Sequence, residues 1–190
     1  MSSVRVGFAL CGSFCTFSAV IPQIKRLVDD GADVIPIMSD MAYSTDTRFG
    51  KAADFVSEIE SIAEKKVIHT IQDAEPIGPK KLLDILIIEP CTGNTLAKLA
   101  NGITDTPVTM AAKAQMRNGR PVLIAVSTND GLSGSMKNIG MLQTNKSIYM
   151  VPYRQDDPLK KPTSLVADFD KTVLAMHLAL EGRQLQPVLL

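Results

Sequence analysis

Two short polar turns follow apolar runs and carry most of the chemistry that the sequence offers. Cys11-Gly12-Ser13 ends the first run, and Thr92-Gly93-Asn94-Thr95 ends another. Each puts a hydroxyl and a glycine where a strand turns into a helix. Backbone N–H groups converge there and suit a phosphate monoester; an ordinary tight turn is the competing reading of Gly12-Ser13. Gly7 and Gly12 have the two-glycine spacing of a nucleotide-binding loop, but no Lys follows the second, so triphosphate hydrolysis is unsupported. No G-x-G-x-x-G is present, so the usual dinucleotide fingerprint is missing as well. A hydrolase is disfavoured, since the chain has no Gly-x-Ser-x-Gly and no Ser–His–acid set. No metal site is expected: His69 and His177 are far apart, and His177 sits beside an apolar helical face as a structural histidine does. Cys11 and Cys15 flank a turn with no second cysteine pair. Cys11 and Cys91 read as small strand-end residues, and Cys15 as a residue able to face a site. The methionines fall mainly in apolar stripes and read as core filler.

These turns need a scaffold, and the hydrophobic pattern supplies one. Strand signals cover residues 4–10, 33–38, 67–69, 84–88, 121–126 and 147–151. The runs at 84–88 and 121–126 are almost continuously apolar, as in strands buried on both faces. Between them lie helical stripes. Val20, Ile21, Ile24, Leu27 and Val28 form one, with Gly31 as its stop; Ala52, Phe55, Ile59 and Ile62 form the next. Residues 94–101 read as a helix. So do 107–118, with Thr106 as N-cap, Pro107 at the first position and Gly119 as stop. Val166, Phe169, Val173, Met176 and Leu180 mark a last helix before Gly182. The alternation predicts an α/β protein: one three-layer α/β/α domain over residues 1–190, Rossmann-like or flavodoxin-like, with a parallel six-stranded sheet. The C-terminal helix and tail are expected from about 164 to 190. Ligands of such sheets bind beyond the carboxyl ends of the strands. That directs attention to loops 11–16, 39–49, 89–95, 127–131 and 152–157.

The composition agrees and excludes several roles. With 190 residues and 45% hydrophobic side chains, the chain can bury a sizeable core. Lys+Arg and Asp+Glu each number 20, so neither phosphate-neutralising nucleic-acid binding nor a polybasic membrane surface is expected. Trp is absent and aromatics are 5%, which argues against stacking platforms for single strands. No apolar run approaches the roughly 20 residues of a membrane span. The first residues read as a strand rather than a targeting segment, because Gly7 and Gly12 interrupt a short apolar stretch and Leu10 is too large for lipoprotein cleavage before Cys11. Three cysteines imply no disulfide framework, and a reducing cytoplasm is expected.

The block from Pro90 to Asp105 resembles the signature of the flavoprotein decarboxylase superfamily, whose members include phosphopantothenoylcysteine decarboxylases, lantibiotic cysteine decarboxylases and flavin prenyltransferases. Pro90, Asn94, Thr95, Ala97, Lys98, Ala100, Gly102 and Asp105 match, and Thr92 replaces a Ser. The resemblance implies FMN, or a phosphate or sulfate in its place, held by Gly12, Ser13, Ser39, Thr92, Gly93, Asn94, Thr95, Ser127 and Asn129. Ser127-Thr128-Asn129 stands where members carry Pro-Ala-Met-Asn, and only Asn129 matches well. The cysteine decarboxylases use a His about eight residues before the Asp that opens the fourth strand. Counting back from Asp84 gives Pro76, which cannot serve as a base. Decarboxylation of a peptidyl cysteine is therefore disfavoured, and the catalytic residues are left unassigned.

A closer resemblance spans the chain and is to the family of dipicolinate synthase B subunits of spore-forming bacteria. It rests on Ser44-Thr45, Thr47-Arg48-Phe49-Gly50, Ala74-Glu75-Pro76, Met110-Ala111-Ala112-Lys113-Ala114, Ser127-Thr128-Asn129-Asp130, Gln155-Asp156-Asp157-Pro158 and Gln184-Leu185-Gln186-Pro187. Phe14 stands where some relatives carry a His. The resemblance implies a cytoplasmic oxidoreductase subunit, poorly active alone. With the A subunit of dipicolinate synthase it would convert dihydrodipicolinate to dipicolinate during sporulation. The electron acceptor is either flavin on this chain or NAD(P), reached only through the partner. The substrate is a dianion, so cations or helix N-termini must meet it. Arg48, Lys98, Lys113, Arg154 and Lys161 are the cationic candidates; a solvated surface role is the alternative for Lys98. A homo-oligomer, a trimer or a multiple of one, is expected. A stand-alone flavin enzyme and a non-catalytic scaffold remain the competing readings.

Overall fold

The computed structural model describes residues 3–190. In chain order its strands are β1 (Arg5–Leu10), β2 (Asp33–Met38), β3 (Ile85–Cys91), β4 (Val122–Thr128), β5 (Ile148–Met150), β6 (Tyr153–Asp157) and β7 (Lys161–Ala167). The helices are α1 (Phe17–Asp29), α2 (Asp40–Ser44), α3 (Ala52–Ala63), α4 (Ile71–Ala74), α5 (Gly93–Ala100), α6 (Pro107–Arg117), α7 (Met136–Gln143) and α8 (Thr172–Leu180). Parallel pairing links β2, β1, β3, β4 and β5 in that order. This is the flavodoxin-like arrangement, in which the chain changes direction between β1 and β3 and leaves a crevice above their carboxyl ends. Helices cover both faces, so β1 and β3 are buried almost throughout. That is why their sequences run apolar without alternation.

Local signals account for the helix ends. Thr106 caps α6 in a reciprocal pair with Thr109, Pro107 takes its first position, and Gly119 follows with φ +64°. Helix α1 buries Phe17, Val20, Ile21, Ile24 and Leu27, and Gly31 turns the chain out of it with φ +90°.

The sheet departs from the expected six parallel strands: among the described residues it is mixed and has seven. Residues 67–69 make one bridge, Ile37 to Ile68, because the chain turns at Thr70 into α4. Residues 152–157 are largely strand rather than loop, and Val166 belongs to β7 rather than to the last helix, which begins at Thr172. The expected C-terminal helix and tail from about 164 is corrected accordingly. β6 and β7 form an antiparallel hairpin, and β7 then pairs antiparallel with the end of β4 at Ser127–Val166 and Thr128–Leu165. Three intervening residues, 158–160, suffice for a hairpin but not for the crossover that parallel pairing needs. None of the helices among the described residues is long and apolar enough to cross a membrane.

Candidate functional site

The crevice above β1, β3 and β4 opens into a cleft of about 780 Å³. A second cavity of about 360 Å³ adjoins it, and Gly12, Phe14, Thr92 and Asn94 line both. Both volumes fall within the usual range for small-molecule sites. Ser13, Gly93, Ser127 and Asn129 face the main cleft; Ser39, Thr95 and Lys98 face the second cavity. Three loops far apart in sequence thus meet at one place because β1, β3 and β4 are neighbours in the sheet.

Hydrogen bonds fix these loops. Ser13 Oγ lies 2.9 Å from Ser127 Oγ, which joins the turn after β1 to the end of β4. Thr92 is the N-cap of α5 and accepts from the Thr95 amide at 3.5 Å. Ser39 caps α2 and accepts from the Ala42 amide at 3.3 Å. Behind α5 sits a compact polar cluster. Asp130 accepts from Thr128 Oγ1 at 2.5 Å and from Ser135 Oγ at 2.9 Å. A Cβ on Gly93 would stand 2.6 Å from Ser135 Oγ and 2.7 Å from both Asp130 Oδ1 and Thr128 Oγ1. Only glycine lets α5 start so close to that cluster.

Three buried groups beneath the cleft have displaced pKa values. Burial raises the Glu89 carboxyl to about 8, partly opposed by the 2.6 Å bond that Thr172 donates to Oε2. Its Oε1 is buried with no partner among the described residues. Burial also raises the Cys11 thiol to about 11, against the opposing effect of the Thr95 hydroxyl 3.2 Å away. Cys91 is pushed well above the usual thiol range, first by burial and then by Cys11. Neither buried thiol is a nucleophile at neutral pH. Cys15, by contrast, is exposed and lines the main cleft.

The cationic candidates are dispersed. Arg48 is exposed and stacks on Phe49, its Cζ 4.9 Å from the ring centre; Phe49 itself lines the cleft. Arg154 is exposed on β6 and Lys113 is exposed on α6. Neither is among the residues lining the two cavities. Lys98 reaches the second cavity but is bound to Asp105 at 2.7 Å, which holds that carboxyl below its usual range. Lys161 lines the main cleft. Both histidines lie elsewhere: His69 stacks on Tyr43 at 3.8 Å, and His177 pairs with Asp30 at 2.7 Å. Sequence reading pointed to residues 127–131 and 152–157 but gave Asp130, Asp156 and Ser164 no role, and it took 152–157 for a loop rather than an arm of the hairpin that brings Asp156 over the cleft. The one signal for the hairpin was the turn at Asp157-Pro158 between two polar segments.

A mostly parallel α/β sheet with hydroxyls, glycines and open strand ends at its switch point is the setting of a flavin-binding protein. The flavoprotein family profile matches residues 1–176, and the chain belongs to that family. Within it, the chain is 49% identical over 185 residues to the B subunit of dipicolinate synthase from Bacillus subtilis (strain 168), covering 97% of this chain and 92% of that protein. The crystal structure of the dipicolinate synthase B subunit from Bacillus halodurans C superimposes with a TM-score of 0.91 at 44% identity, covering 100% of this chain and 98% of that one. The FMN-dependent cysteine decarboxylase SpaF shares the fold, with a TM-score of 0.71 at 21% identity over 94% of this chain and 97% of that one.

Proposed function

We propose that this chain is the flavin-holding subunit of a two-subunit dipicolinate synthase. In this reading it works with the A subunit in the cytoplasm of a sporulating cell to oxidise dihydrodipicolinate to dipicolinate. The observation that carries the reading is the 49% identity to a B subunit over 97% of the chain, joined to a cleft lined by Ser13, Thr92, Gly93 and Asn94. The donor set fits FMN: hydroxyls of Ser13, Ser39 and Thr92 at helix starts suit its phosphate and ribityl groups, and Asn94 and Asn129 offer amides. A bound flavin would supply a two-electron acceptor for aromatising the ring. This chain's part is to bind and orient. The joined Ser13 and Ser127 hydroxyls hold one wall, and the Thr92 cap holds the other. NAD(P) enters only through the A subunit, since this chain has no glycine-rich dinucleotide turn.

Purified protein is expected to be yellow. Dipicolinate is expected to appear rapidly only when both subunits are mixed, and full activity from either chain alone defeats the two-subunit reading. Asn94→Ala should lower the rate of the mixture by about tenfold or more while melting within a few degrees of the parent, because an exposed amide in the first turn of α5 adds little to the core. An unchanged rate removes Asn94 from the site.

The cleft rim also points to a second copy. Phe49 is 47% exposed, Met41 is 60% and Ile103 is 46%, around the two cavities and the end of α5. Phe49 lines the main cleft and Met41 the second cavity, and exposed apolar side chains at such places fit a contact between copies. Sedimentation at micromolar concentration should give a trimer or a multiple of one; a strict monomer counts against it.

A further inference from the structure

The main cleft has an unusual charge balance for a site that takes a dianion. Among its lining residues Lys161 is the only cation, against the carboxylates of Asp130 and Asp156. Asp130 is occupied by the Thr128 and Ser135 hydroxyls. Asp156 accepts from Lys161 Nζ at 2.7 Å. The two side chains of this pair are 36% and 58% exposed, so water screens it and a better-matched acceptor can displace Asp156.

The strand that carries Lys161 is anchored to the cleft. Thr163 Oγ1 donates to the Asn129 carbonyl at 2.7 Å, and the Leu132 amide donates to the Thr163 carbonyl at 2.9 Å. Ser164 Oγ donates to the Thr128 carbonyl at 3.4 Å. Lys161 lies two residues before Thr163 on the same strand and lines the main cleft, so these bonds fix the strand from which it reaches in. The bond to Asp156 keeps the Lys161 ammonium above its usual pKa, and Cys15 adds a smaller push in the same direction. A full positive charge therefore stands at the mouth of the cleft at neutral pH.

We propose that Lys161 receives a carboxylate of the ligand and that Asp156 is its built-in competitor. The pair holds the ammonium in position and hands it over only to a strongly anionic group. The ligand class, a ring dicarboxylate, rests on the function proposed above; the assignment of Lys161 and Asp156 does not follow from that function alone. The two substitutions have opposite expected signs. Removing Lys161 deletes the receptor. Removing the charge of Asp156 frees it.

Dipicolinate itself is the probe, measured by equilibrium dialysis against protein saturated with FMN, with dipicolinate read by its ultraviolet absorbance. Lys161→Met should weaken binding by about tenfold, the loss of one charge-assisted bond, and Lys161→Arg should restore most of it. Asp156→Asn should tighten binding by roughly two- to fivefold, the worth of an exposed pair. The salt dependence of binding should shrink in Lys161→Met. Melting temperatures close to the parent's show that each variant is folded. Parent-like binding by both Lys161→Met and Asp156→Asn, with the parent binding dipicolinate, overturns the assignment and leaves the substrate class standing. Absence of dipicolinate binding in all variants, with flavin still bound, overturns the substrate class and this inference with it.

Discussion

Replacing Glu89 with Gln is expected to remove a loss of stability that the parent suffers as pH rises. Glu89 is fully buried at the carboxyl end of β3, with Thr172 donating to Oε2 and nothing among the described residues bonded to Oε1. Burial lifts its pKa to about 8 from an ordinary 4.5, so the folded protein carries the neutral acid at neutral pH. The unfolded chain ionises near 4.5 and the folded one near 8, so between these values the folded state binds more protons. The contribution of Glu89 to stability is therefore fully present below about 4.5, is lost as pH rises through the window up to about 8, and changes no further above it. A group displaced this far makes the fall on the order of 3–4 kcal/mol between pH 5 and pH 8. Gln has no proton to lose, and its carbonyl can still accept from Thr172. Urea unfolding of parent and Glu89→Gln at pH 5 and pH 8.5 should give diverging midpoints, with the variant ahead at the higher pH. Parallel pH profiles would show that Glu89 is not the group responsible.

Gly93→Ala should disable the cleft, although alanine is the better helix former. The added Cβ would stand at 2.6–2.7 Å from Ser135 Oγ, Asp130 Oδ1 and Thr128 Oγ1. Those three groups are bonded to one another, so no single side chain can rotate aside. The start of α5 must move, and with it Thr92 and Asn94 at the junction of the two cavities. Such overpacking typically costs about 1–3 kcal/mol. We expect flavin affinity to fall by at least about tenfold, the equivalent of roughly 1.4 kcal/mol. Gly140 is the control: it lies within α7, and a Cβ there meets nothing within 4 Å. Gly140→Ala should stabilise the protein by about 0.5–1 kcal/mol and leave flavin binding alone. Flavin titration and urea midpoints of the two variants settle the matter. A Gly93→Ala protein that is stabilised like Gly140→Ala, with parent-like affinity, would mean that the cluster yields freely.

The same residues show how far the sequence reaches. The runs that became β1, β3 and β4 are apolar without alternation, which by itself calls for burial on both faces and hence a helix-covered parallel sheet. Thr106, Pro107 and Gly119 delimit α6 through bonds between near neighbours, so its ends were readable locally. The turns Gly12-Ser13 and Thr92–Thr95 were also legible, since in such sheets sites lie beyond the strand ends. Only the tertiary structure decided the rest. The β6–β7 hairpin is polar and half exposed, so its residues lack the apolar period that marks a strand, and its pairing with β4 joins positions nearly 40 residues apart. Glu89 reads as a polar residue at a strand end; its burial arises because α8 lays Thr172 against it from 83 positions away. Lys98 reads as a candidate cation until Asp105 is seen to hold it. Hydrophobic periodicity and capping are interactions within a few residues, and a sequence states them directly. Which charges pair, which carboxyl is stripped of water and which glycine faces a cluster depend on segments brought together by the fold, and no local pattern records them.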